Sequence, residues 1–62
     1  MTKKNFIAMA KLFRARIEAE REAGNNMAGL EAIFKVIEDF CTLAKADNSA
    51  FERARFLNAC GL

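Results

Sequence analysis

Sixty-two residues with 53% hydrophobic content and a net charge of +2 make one small domain, with no room for a catalytic cleft between lobes and too little charge to imply a nucleic-acid partner. The absence of histidine, with only Cys41 and Cys60 as thiols, argues against a metal centre and against the usual cysteine nucleophile with its imidazole base. A chain this short buries only about 60% of its unfolded surface, and small domains usually close the resulting stability gap with a disulfide, a metal or a second subunit.

Lys3 to Ala23 is expected to form the first helix, with Thr2 as its N-cap. Phe6, Met9, Ala10, Phe13 and Ile17 make its main apolar stripe. On the far side Ala8, Leu12, Ala15 and Ala19 form a second seam, which either meets another helix or simply raises helix propensity. Its charges are reversed for a helix dipole: Lys3 and Lys4 open it, and Glu18, Glu20 and Glu22 close it. Two copies lying antiparallel would turn that defect into a pairing signal; otherwise these are ordinary solvated charges. Gly24 supplies a left-handed stop, and Asn25–Asn26 a turn short enough to make the next helix an antiparallel neighbour.

The second helix, Met27 to about Ala46, holds the strongest signal. Twelve of residues 27–44 are apolar, on two seams. Leu30, Phe34, Ile37, Cys41 and Ala44 make one; Ile33, Val36, Phe40 and Leu43 make the other. A helix docked on one partner needs only one such stripe. The second seam, with Leu12, is therefore expected to be a dimer interface. Asp47–Asn48–Ser49 breaks this helix, and Ser49-x-x-Glu52 reads as a capping box opening a third helix from Ala50 to about Ala59, with Gly61 as its stop. Its Ala50–Ala54–Leu57 stripe is expected to dock on the long helices, leaving Arg53, Arg55 and Phe56 outward as a partner-binding patch. Arg55 could equally be structural, bonding carboxylates of a neighbouring helix.

No constellation carries chemistry. Glu38 and Asp39 diverge by about 100° along their helix, and there is no phosphate-cradling glycine loop or metal-ligand spacing. No catalytic residue, metal or cofactor is assigned. Cys41 reads as a small buried hydrophobe and Cys60 as packed or incidental. A run of about 20 apolar residues and an apolar leader are both missing, so no membrane partner and a cytoplasmic location with reduced thiols are expected. Charge sums to +3 over residues 1–24, −2 over 25–48 and +1 over 49–62, an alternation that favours packing between segments or chains.

The opening Thr2-Lys3-Lys4-Asn5-Phe6 and the closing Asp47-Asn48, Phe51, Arg55-Phe56-Leu57 and Ala59-Cys60-Gly61 resemble small uncharacterised proteins of lambda-like temperate phages, encoded between the exonuclease and excisionase genes. The resemblance implies a role in phage development inside the host cell, such as biasing the choice between lysis and lysogeny through a host or phage regulatory protein. It carries no site residues. The expected protein is all-α: two long antiparallel helices and a short third, completed as a dimeric bundle and regulating by protein–protein contact. The alternative is a small DNA-binding regulator using a basic helix face, either Lys4, Lys11 and Arg14 on the first helix or Arg53 and Arg55 on the third.

Overall fold

The structure, a computed structural model, describes residues 2–24 and 27–62. Among the described residues it is all-helical: α1 (Lys3–Glu22), α2 (Met27–Asp47) and α3 (Arg53–Ala59). Thr2 is extended (φ −86°, ψ 167°) and its hydroxyl oxygen accepts the Asn5 N–H at 3.3 Å, so α1 opens on a side-chain cap. Gly24 takes φ +67°, and its N–H reaches the Arg21 carbonyl at 3.2 Å, closing the helix in the left-handed conformation that a side chain resists. The expected Asn25–Asn26 turn lies outside the described residues.

α1 and α2 run antiparallel. Phe6, near the start of α1, meets Phe40 in the second half of α2, while Glu20, near the end of α1, lies against Gly29 near the start of α2. Each helix contributes the stripe its spacing dictates: Ala10, Phe13 and Ile17 from α1 face Ile37, Cys41 and Ala44 from α2, all buried. α3 then closes one end of this pair. Phe6, Phe13, Phe40, Phe51 and Phe56 pack there with ring centroids 5.1–6.5 Å apart, mostly edge-on or tilted, the arrangement that aromatic quadrupoles favour. At the other end only two helices meet, and Leu30 and Phe34 stay half-buried.

The third helix differs from its sequence reading in start and in facing. It begins at Arg53, three residues after Ala50, and no side-chain cap forms: Ser49 is in a turn, and the N-cap position is taken by Glu52. The competing interaction is Asn48. Its side-chain oxygen accepts the Ala50 N–H at 3.0 Å and its carbonyl accepts the Phe51 N–H at 2.9 Å, a local turn that uses the donors a helix would need. Lys45 ties the same segment to α2 by donating to the carbonyls of Ser49 and Phe51. The turn carries Phe51 down into the aromatic cluster. α3 consequently presents Phe56 and Cys60, four residues apart, to the core, and leaves Ala50 and Ala54 exposed.

Candidate interaction surface

Most large apolar side chains among the described residues find cover inside the chain; the exceptions include Ile7, Met27 and Leu62 and, on the two long helices, Leu12, Val36 and Leu43. Leu12 of α1 is 63% exposed, and Val36 and Leu43 of α2 are 57% and 68% exposed. Leu12 and Val36, with Ile33 half-buried beneath, line a shallow groove of about 620 Å³ between the two long helices, walled also by Ala15 and Ala19. α3 packs on the opposite flank of α1, where Gly61 approaches the Arg14 side chain, so no other described element covers this face. Of the five expected interface residues, Leu12, Val36 and Leu43 are thus presented outward and Ile33 in part. Phe40 is not: it turns inward against Phe6, Phe13 and Phe56. A phenylalanine at the boundary between two seams goes where other rings can receive it.

The expected partner-binding trio separates. Phe56 is 5% exposed and contacts four other phenylalanine rings, so it belongs to the core rather than to an outward patch. Arg53 reaches across to α2 and donates to Glu38 at 3.1 Å, with both side chains at least half exposed. Arg55 stays on its own helix, 3.4 Å from Glu52. Sequence spacing held the missed signal. Phe56 and Cys60 are one helical turn apart, and burying a phenylalanine removes far more apolar area from water than burying Ala50 or Ala54. The larger side chain should have decided which face turns inward.

A second, smaller groove of about 360 Å³ lies between the start of α1 and α3. Its floor is Phe6, Ile7, Phe51 and Phe56, with Lys3 and Arg55 at the rim. Ile7 is about half exposed there.

The two thiols are free and buried, one on the inner face of α2 and one just past α3. Burial pushes both above the usual thiol range. For Cys41 the nearby Arg53 opposes the shift and Glu38 adds to it; for Cys60 the proximity of Cys41 adds to it. Such groups are inert hydrophobes, not activated nucleophiles. Among the described residues no group of three potential ligands converges on a metal position, and no helix is long and apolar enough to cross a membrane. Comparison with protein-family models, curated proteins and solved structures finds no match.

Proposed function

We propose that this chain is a non-enzymatic regulatory protein that works as a homodimer through protein–protein contacts, in the development of a temperate phage. The observation that carries the self-association is the exposure of Leu12 and Val36 along the groove between α1 and α2, with Leu43 exposed two turns further along α2. Isolated exposed apolar residues are common, but a contiguous set along two adjacent helices marks a contact surface. The size of the chain supports the same reading. A folded protein of this mass exposes about 4,000 Å², whereas this one exposes 4554 Å².

A binding role is favoured over catalysis because the two candidate nucleophiles are buried thiols held protonated. It is favoured over DNA recognition because Arg53 and Arg55 are already engaged by Glu38 and Glu52, and Arg14 by Glu18. The phage setting rests on the resemblance of the chain's two ends. The regulatory partner is assigned to the groove beside α3, where Ile7 is about half exposed.

The test is a paired substitution, Val36→Glu with Leu43→Glu, expressed in a lysogen beside the unaltered chain. Both side chains are more than half exposed, so circular dichroism should report unchanged helix. The unaltered chain is expected to shift the frequency of phage induction and the monomeric variant to leave it unshifted. A folded, monomeric variant with full effect would remove the dimer from the mechanism.

A further inference from the structure

We infer that the regulatory partner presents an acidic amphipathic segment, its apolar side chains seated in the groove beside α3 and its carboxylates answering the lysines around Ile7; this rests on the assignment of the partner to that groove. From Thr2 to Ile17 the chain carries Lys3, Lys4, Lys11, Arg14 and Arg16 and no acid. Ile7, about half exposed at the groove, sits among three of these cations. Lys3 and Lys4 stand four and three residues before it and Lys11 four after, the spacings that make neighbours on a helix surface. All three lysines are exposed, and none forms an ion pair among the described residues.

The acids nearby are engaged elsewhere. Glu52, which also lines the groove, lies 3.4 Å from Arg55, and Glu18 lies 3.3 Å from Arg14. Asp47, next to the lining residue Asn48, has an interaction of its own. The three lysines are therefore the charge that this surface offers to a partner. A phosphate backbone would match the lysines but has no use for Ile7 or for the phenylalanine floor. A neutral apolar segment would match the floor and leave the lysines unanswered. An acidic amphipathic segment matches both. The groove, about 360 Å³, is at the small end of ligand sites, which suits a few side chains of a docked segment. Ile7 and Leu12 are separated by about 140° around α1, so a second copy seated over Leu12 leaves this groove open.

Three synthetic amphipathic peptides, titrated into the full chain and followed by amide NMR, test this. They share leucines at i, i+4 and i+7 and differ only in filling the polar positions with glutamate, glutamine or lysine. The glutamate peptide should shift the amides of Ile7, Phe51 and Phe56. It should bind about tenfold tighter than the glutamine peptide in low salt, lose that advantage in high salt, and leave the lysine peptide weakest. Lys3→Gln, Lys4→Gln and Lys11→Gln together should erase the difference between the first two peptides. These positions are exposed and glutamine is a good helix former, so helix content should hold. Equal binding of the glutamate and glutamine peptides at the groove overturns the acidic partner while the groove assignment stands. If no peptide shifts the groove at about 1 mM, both are overturned. A DNA duplex that binds more tightly than the glutamate peptide, and equally well to Ile7→Glu, overturns the inference in favour of nucleic acid.

Discussion

Phe56 packs against the rings of Phe6, Phe13, Phe40 and Phe51, and truncating it would open a cavity at the junction of all three helices. Phenylalanine-to-alanine changes in cores cost about 3–5 kcal/mol. A domain of this length is stable by roughly 3–9 kcal/mol, so Phe56→Ala should take most of that and lower the melting temperature by well over ten degrees. Arg53→Ala removes only a half-exposed ion pair and should stay within about 1 kcal/mol. Thermal melts followed at 222 nm would separate the two; equal small shifts would contradict the placement of Phe56. The thiols give a second prediction at this scale. Their folded pKa values are raised, so the folded state retains protons that the unfolded chain releases. Their contribution to stability is complete below the unfolded thiol pKa of about 8.5 and declines as pH rises through the raised folded values. Replacing both with alanine should flatten the alkaline fall in melting temperature between pH 8.5 and 10, at a packing cost visible at neutral pH.

Gly61 ends α3 with φ +85°. Its N–H donates to the Asn58 carbonyl and the Leu62 N–H to the Leu57 carbonyl, both at 3.0 Å, the paired bonds of a Schellman stop. An alanine Cβ there would meet Arg14 only at ordinary contact distance, 3.7 Å, so the cost of Gly61→Ala is backbone strain of about 1–2 kcal/mol. Loss of amide protection confined to α3 would show it by hydrogen exchange, and unchanged protection would contradict it. The two long helices could be read from spacing because each carries many apolar residues in phase, and Thr2 and Gly24 mark the limits of α1 without competitors. The short third helix could not. With seven residues its boundary depends on which side chain takes which donor, and Asn48 outcompeted Ser49 for the turn. Its facing depends on one ring, Phe56, whose receptors come from α1, α2 and the preceding turn; the Phe56–Cys60 spacing records that facing, but against the three residues of the competing Ala50–Ala54–Leu57 stripe.

On the scale of the whole molecule, the chain measures 36 × 18 × 15 Å with a radius of gyration of 11.9 Å, against about 10.6 Å for a compact chain of this length. It is elongated because α3 is too short to cover more than one end of the helix pair. One side of that pair is left apolar, and the two-seam pattern of α2 made this side readable from sequence, apart from Phe40, which the aromatic cluster claimed. The groove beside α3 was not readable, since it arises from three separated segments. It yields its own prediction: Ile7→Glu should abolish the regulatory effect in cells with a melting-temperature change of only a few degrees, whereas a fully active variant would remove that groove from partner binding.

The central claim is that a second copy covers the α1–α2 face, and sedimentation equilibrium addresses it most directly. Between about 1 and 200 µM the unaltered chain should sediment at twice its 6.9 kDa mass, with concentration-dependent dissociation at the lower end, while Val36→Glu/Leu43→Glu sediments at 6.9 kDa with its helix content intact. A folded single chain of 6.9 kDa across that whole range would contradict the account.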